Sequence, residues 1–352
     1  MSDIAHLLHT LRAQGRFCAR SGSTMYGELL ELIAGDVETD GVFANILADR
    51  HRAPSGQAVP LRLVGGLHRM VLDGRAPQLR RWYPSAGGHW EARSAWPEIL
   101  LVATEHAEVL RAALQQPPQT NEVGRSAALI GALLRINREF ALPIRLFEIG
   151  ASAGLNLRAD RYRYRYAGGE WGPADSPVVI DDAWQGHLPL GGAVRIVERH
   201  GYDISPLDVA GVTATAEELT VLSYVWPDQD ARMERLRGAI AVARDVPAQL
   251  ERRTAADAVT GLTLADGALT VLWHSITWQY LSADERAAVR AGIDQVAAQA
   301  SAGSPFAHVT LEPARDGPGS PLRFLVRVAG WPGGETQVLG ECHAHGPPVN
   351  WQ

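Results

Sequence analysis

The sequence predicts an α/β fold in which an all-helical segment precedes a largely parallel sheet. Three observations predict it. Apolar residues recur at helical spacing through the first 140 positions. A short apolar run, Pro143-Ile144-Arg145-Leu146-Phe147-Glu148-Ile149-Gly150, then enters a glycine-rich turn. Beyond it, strand-like and helix-like stretches alternate to a final hairpin, and such alternation implies a parallel sheet with helices on both faces.

The elements follow in order. Ala5–Ala19 and Met25–Ala34 carry helical periodicity, and Leu61–Asp73, after Pro60, reads as a buried helix. Trp96–Gln115 has Pro97 one residue in, which suits a first helical turn. Pro117-Pro118 stops that helix, and Thr120-Asn121-Glu122 opens another that runs to about Phe140. After the strand ending at Gly150, a helix is expected near Gly154. Tyr162–Tyr166, Gly168-Gly169 and Val178–Ile180 read as a hairpin excursion in which one face is Tyr and the other a solvated row of Arg. Val194–Glu198, Gln249–Arg253, Leu269–His274 and Phe306–Leu311 read as strands. Ala216–Tyr224, Asp228–Ala243 and Ala283–Gln299 read as the helices between them. Leu322–Val328 and Glu335–Leu339 bracket Gly330-Trp331-Pro332-Gly333-Gly334, a hairpin signature. A parallel sheet closed by such a hairpin is the methyltransferase variant of the Rossmann-like architecture. The expected division is a helical cap domain, 1–140, and a Rossmann-like domain, 141–352.

Composition narrows the function classes. The 352 residues carry a net charge of −6 with both signs interspersed, so no basic field points to nucleic acid. No stretch reaches the roughly 18 apolar residues of a membrane span, and no secretory signal pattern opens the chain. Two cysteines, Cys18 and Cys342, make no disulfide framework. A cytoplasmic protein acting on a small molecule is expected, with no membrane or nucleic-acid partner. The sequence leaves its oligomeric state open. All basic residues are Arg, a coding bias rather than a functional signal.

The turn Glu148-Ile149-Gly150-Ala151-Ser152-Ala153-Gly154 carries the chemistry. Glycine lets a backbone approach a ligand closely, and a following helix presents free N–H groups. The nucleotide-loop pattern, acid-x-Gly-x-Gly-x-Gly, is met by Glu148, Gly150 and Gly154, while Ser152 replaces the middle glycine. Asn156 adds a polar contact. The same residues satisfy Gly-x-Ser-x-Gly, the nucleophile elbow of hydrolases, with Ser152 as nucleophile and Asp257 or Glu312 with His343 or His345 behind it. The helical first half and the acid before the turn favour the nucleotide loop.

Several blocks resemble a known family. Leu146–Leu157 with Asp160-Arg161-Tyr162, Gly201-Tyr202-Asp203 with Pro206, Val225-Trp226-Pro227-Asp228-Gln229, His274-Ser275, Gln119–Arg125 and His345-Gly346 are similar to those of a bacterial domain-of-unknown-function family numbered 2332. The resemblance spans nearly the whole chain. It implies a fold related to class I S-adenosylmethionine-dependent methyltransferases and brings no assigned reaction.

Further residues follow from position. Asp203, after the second strand, would take ribose hydroxyls, although it lies 53 residues after Gly150 (203 − 150) against a usual spacing of about 20. Glu198 is its rival at that strand's end. Asp257, after the third strand, would face an adenine edge. His274 ends the strongest strand and is the candidate general base. Trp278, Tyr280, Asn121, Glu122 and His345 are candidate substrate contacts. His343 and His345 sit two apart, but no third ligand lies nearby and no metal site is predicted. The expected function is methyl transfer from S-adenosylmethionine, bound by Glu148, Gly150, Ser152, Gly154, Asn156, Asp203 and Asp257, to a small molecule. The alternatives are a serine hydrolase using Ser152 and a non-catalytic nucleotide-binding protein.

Overall fold

The computed structural model describes residues 3–51, 53, 57–191, 193–211, 215–317 and 319–352. Its contacts cluster into two compact units, Met1–Thr120 with Thr215–Met233, and Asn121–Ala214 with Glu234–Gln352.

The first unit is helical: α1 (Asp3–Arg20), α2 (Thr24–Glu38), α3 (Val42–Ile46), α4 (Val59–Leu72), α5 (Ala92–Glu105) and α6 (Ala107–Ala113), joined after a long gap by α8 (Thr215–Ser223). Its core is aliphatic, with Leu11, Leu29, Leu30, Ile33, Leu63, Val64 and Leu67 fully buried. The cap of α2 is Ser23, whose Oγ accepts from Tyr26 N at 3.2 Å and donates to Asp228 Oδ1 at 2.6 Å. Pro97 is not in a first turn. Helix α5 begins at Ala92 because the Glu91 carboxylate accepts the amides of Arg93 and Ser94. Pro97 therefore lies inside the helix, on its exposed side, where water can satisfy the carbonyl it leaves unpaired.

The second unit is α/β. Its nine-stranded sheet has the order β5-β12-β11-β10-β9-β8-β1-β6-β7. The strands are β1 (Ile144–Ile149), β5 (Trp184–Gly186), β6 (Ile196–Asp203), β7 (Gln249–Arg252), β8 (Leu269–Ser275), β9 (Phe306–Ala314), β10 (Arg323–Trp331), β11 (Thr336–His343) and β12 (Gly346–Trp351). Strands β7, β6, β1, β8 and β9 pair in parallel. In chain order these five read 3-2-1-4-5, so the winding reverses between β1 and β8. Every residue of β8 is buried, as a central parallel strand requires.

The closing hairpin is part of something larger. Strands β9 to β12 form an antiparallel meander, and β5 joins the far edge in parallel with β12. Sequence reasoning missed β12 because Pro347-Pro348 removes two ladder donors from its middle. Strands β2 (Arg163–Tyr166), β3 (Gly169–Trp171) and β4 (Val179–Ile180) make a separate sheet. There Tyr164 is buried against Trp184, while Arg163 and Arg165 face outward to Glu170 and Asp181. The alternation of Tyr and Arg thus separates a core face from a solvated one.

Helices α10 (Ala255–Thr260) and α11 (Ala283–Ala297) cover one face of the main sheet, where Val259, Val289 and Ile293 pack on Phe147, Ile149 and Leu272. Helix α7 (Ser126–Phe140) lies against β9, β10 and β12. Helix α9 (Asp230–Asp245) precedes β7. Among the described residues, no helix is long and apolar enough to cross a membrane.

The approach of α7 to β12 depends on Gly131. A methyl group there would lie 2.1 Å from Cζ2 of Trp351. Gly131→Ala gains about 1 kcal/mol of helix propensity but overpacks the contact at a cost of about 1–3 kcal/mol. A lowered melting temperature is expected, and a raised one would show that the helix stands farther from Trp351.

Candidate functional site

The turn after β1 is held by its own surroundings. Gly150, Ser152 and Gly154 all adopt positive φ, at 70°, 51° and 64°. Gly154 N donates to Ala151 O at 2.7 Å, which closes a tight turn with Ser152 at its second position. Positive φ is uncommon for serine, and four further bonds hold the turn there. The Ser152 amide donates to Asp203 Oδ2 at 2.9 Å, and its carbonyl accepts from Leu207 N at 3.1 Å. The preceding amides of Gly150 and Ala151 both donate to Tyr202 O. A Cβ on Gly150 would meet Thr277 Oγ1 at 2.4 Å, and one on Gly154 would meet Leu250 Cδ2 at 2.6 Å. Both glycines are therefore required by backbone conformation and close packing.

No α-helix follows the turn. Leu155–Arg161 is a 3-10 segment broken at Arg158, whose φ and ψ are −103° and 20°. Side chains from Leu155 to Ala159 are all buried, so no single apolar stripe directs an α-helix. Tertiary bonds shape the segment instead. Leu155 N donates to Asn121 Oδ1 at 2.8 Å, and the Arg158 guanidinium donates to Gly154 O and Val246 O.

Asn121 thus reaches the turn, as a cap on a segment 34 residues away. It does not open α7, which starts at Ser126 after a 3-10 turn. Glu122 is buried and accepts from Gly124 N at 3.1 Å. His345 lies in the tight turn between β11 and β12, not on a strand with His343. Its carbonyl lies so close to Gly124 that a Cβ there would meet it at 2.4 Å. Arg125 Nε donates to the neighbouring Ala344 O at 3.0 Å.

The second strand is longer than its apolar pattern suggests. Arg199, His200 and Gly201 obscure the pattern, yet β6 runs through them to Asp203. Asp203 is therefore the strand's last residue. Glu198 is only its third, paired with Arg145 at 2.9 Å and away from the carboxyl edge. Asp203 Oδ1 also accepts from Ser205 N at 2.8 Å, so each carboxylate oxygen takes one amide.

Glu148 faces the other way. Register pairs it with Trp273, and the alternation of β1 turns it from the face that Phe147 and Ile149 present to α10 and α11. Burial pushes its carboxyl up to about 8, opposed in part by the side chains of Asn156 and Trp273. Ser126 Oγ donates to Asn156 Oδ1 at 2.7 Å, which links α7 to this buried cluster. Asp257 is exposed and lies three residues after the helix cap Thr254; its amide donates to Thr254 Oγ1 and its carboxylate accepts the same hydroxyl.

His274 has a buried carboxylate partner. Its Nδ1 lies 2.7 Å from Glu312 Oε1, an oxygen that also accepts from Thr277 N at 2.9 Å and Trp278 N at 3.2 Å. Oε1 already accepts two backbone amides, so Nδ1 is placed as a third donor to it. Nε2 of His274, Nε2 of His308 and Oε2 of Glu312 are buried without partners among the described residues. The His274 ring stacks on Trp278 with centroids 5.4 Å apart and faces His308 at 5.1 Å. Burial, then the neighbouring His274, holds His308 well below the usual histidine range. Arg290 also sits over Trp278, at 5.1 Å. Trp278 is thus packed between His274 and Arg290. Tyr280 is 44% exposed at the surface.

Sequence reasoning did not find His308 or the pairing of His274 with Glu312. A signal existed: His308, Thr310 and Glu312 alternate along β9, and Thr310 registers with His274. Of the acids named for the hydrolase alternative, Glu312 bonds to His274 and Asp257 to Thr254. Among the described residues, no three or more His, Cys, Asp or Glu are arranged to hold a metal ion.

Glu148 gives a pH test. Below about 4.5 its carboxyl is protonated whether the chain is folded or not. Between about 4.5 and about 8 the unfolded chain ionises while the folded one stays neutral, so stability falls as pH rises. The limiting slope is about 1.4 kcal/mol per pH unit. Glu148→Gln removes that slope, so the variant should gain on the wild type across the window in denaturant melts. Parallel curves would show that the carboxyl is solvated.

Asp203→Asn gives another. One of the two amides loses its charged acceptor, at a cost of about 1.5–3 kcal/mol. Hydrogen exchange at Ser152 or Ser205 should accelerate; unchanged protection at both would disprove the bridge.

Comparison with curated proteins and with solved structures finds no match. A family model described as an uncharacterized protein conserved in bacteria (DUF2332) matches residues 8–351, and the chain belongs to that family.

Proposed function

We propose that the protein is an S-adenosylmethionine-dependent methyltransferase acting on a small molecule. The observation that carries this reading is the bridge from Asp203, at the end of the second parallel strand, to the turn that ends the first. It lies at the carboxyl edge of a sheet wound 3-2-1-4-5, where doubly wound proteins bind nucleosides beside the reversal of winding.

The residues fit such a ligand in part. Each Asp203 oxygen has given one acceptor position to an amide and keeps capacity for a ribose hydroxyl. Gly150, Ser152 and Gly154 would border the ligand. Glu148 and Asn156 support the turn from behind, and Asp257 is occupied by its own helix cap. Bound at this edge, the sulfonium would supply an electrophilic methyl group. His274 would accept the proton of the attacking hydroxyl or amine at Nε2, its open ring nitrogen. Glu312 fixes the tautomer and would stabilise the imidazolium that forms. Trp278 keeps the ring in plane. The remaining acceleration would come from alignment of donor and nucleophile.

Titration calorimetry with S-adenosylmethionine and S-adenosylhomocysteine tests the reading. Saturable heat is expected from the wild type, weakened at least about tenfold by Asp203→Ala, or about 1.4 kcal/mol. His274→Gln should bind both ligands yet fail to transfer a labelled methyl group to a small-molecule extract. Absence of wild-type heat would overturn the proposal.

A further inference from the structure

The helical unit holds a second polar constellation, independent of the methyl-transfer reading. His68, on α4, is fully buried. Its Nδ1 lies 3.1 Å from the carbonyl oxygen of Ser223, and its Nε2 lies 2.8 Å from Ser85 Oγ. A carbonyl can only accept, so Nδ1 carries the proton. Burial lowers the imidazole to about 4, against the raising effect of the Ser223 and Val225 carbonyls, so the ring is neutral near pH 7. Nε2 is then a lone pair, and the Ser85 hydroxyl must donate to it.

Ser85 sits in the 3-10 turn Pro84–Ala86, before Gly87 at φ 82°, and is half-buried where His68 is closed off. Tyr83 stacks on the His68 ring, with centroids 5.6 Å apart and planes at 28°. Its hydroxyl is buried without a partner. The amides after Ser85 are already used: Ala86 and Gly88 donate to Tyr83 O, and Gly87 donates to Pro84 O.

We propose that Ser85, with His68 as its base and the Ser223 carbonyl as the orienting group, is the nucleophile of an acyl-transfer site for small esters. Ser85 Oγ would attack the ester carbonyl carbon while its proton passes to His68 Nε2. The tetrahedral intermediate then collapses: the bond to the alkoxy oxygen breaks, and the alcohol leaves with that proton. Water, giving a proton to Nε2, attacks the acyl-serine; the acid departs and the proton returns to Ser85 Oγ. With the local amides occupied, the Tyr83 hydroxyl, which has no partner among the described residues, would be the donor to the developing oxyanion. A neutral carbonyl in place of a carboxylate stabilises the imidazolium less, so slow turnover is expected.

The test uses the full-length protein and a fluorophosphonate probe, followed by peptide mass spectrometry, with p-nitrophenyl acetate hydrolysis measured in parallel. The adduct is expected on Ser85. Ser85→Ala should cut both labelling and hydrolysis at least tenfold while leaving the circular dichroism unchanged. Tyr83→Phe, which keeps the stacking, should slow hydrolysis and leave folding intact. An adduct on Ser152, no labelling above that of heat-denatured protein, or undiminished labelling in Ser85→Ala would each overturn the proposal.

Discussion

The carboxylate of Asp203 joins the ends of two adjacent parallel strands. One oxygen holds the amide of Ser152 and the other the amide of Ser205. Charge-assisted bonds of this kind are about twice as strong as neutral ones. This one stabilises a left-handed serine that an unsupported turn would avoid. Much else at the edge follows. With Ser152 in place, Gly150 packs on Thr277, Gly154 packs on Leu250, and Leu155 presents its amide to Asn121.

Buried polar groups on the two faces of β1 and β8 serve different ends. On one face Glu148 is kept neutral among Asn156, Trp273 and the α7 terminus, where it braces the turn from inside. On the other, Glu312 takes three donors on one oxygen and leaves the Nε2 of His274 open. Strand alternation alone separates them: positions 148 and 273 share a register, and their neighbours point oppositely.

The two paired histidines differ in the same physical terms. His274 is oriented by a carboxylate, a partner suited to a ring that gains charge. His68 is oriented by a backbone carbonyl and kept neutral by burial. The first suits proton transfer with charge build-up. The second would take up a proton with less support for the charge, which accords with the slow turnover proposed for Ser85.

Much of the fold was legible because local chemistry announces it. Helical periodicity marked the first half, and apolar runs marked β1, β8 and β9. Asp203, as a candidate acid beyond the second strand, and the glycines of the turn were also readable, since each depends on a residue type near a strand end. Where local signals conflict, reading failed. Prolines hid β12, Arg199 and His200 hid the length of β6, and a stretch buried on all sides became a 3-10 segment where a helix was expected. By itself, then, the sequence determined the helical first half, the strands β1, β8 and β9, the glycines of the turn and the choice of His274 as candidate base. Only the tertiary structure decided that Asp203 seals the turn, that Asn121 caps it from a distant segment, and that Glu312 belongs to His274. Those pairings join residues 51, 34 and 38 positions apart. Strand register and burial create them, and neither is written in any local run of residues.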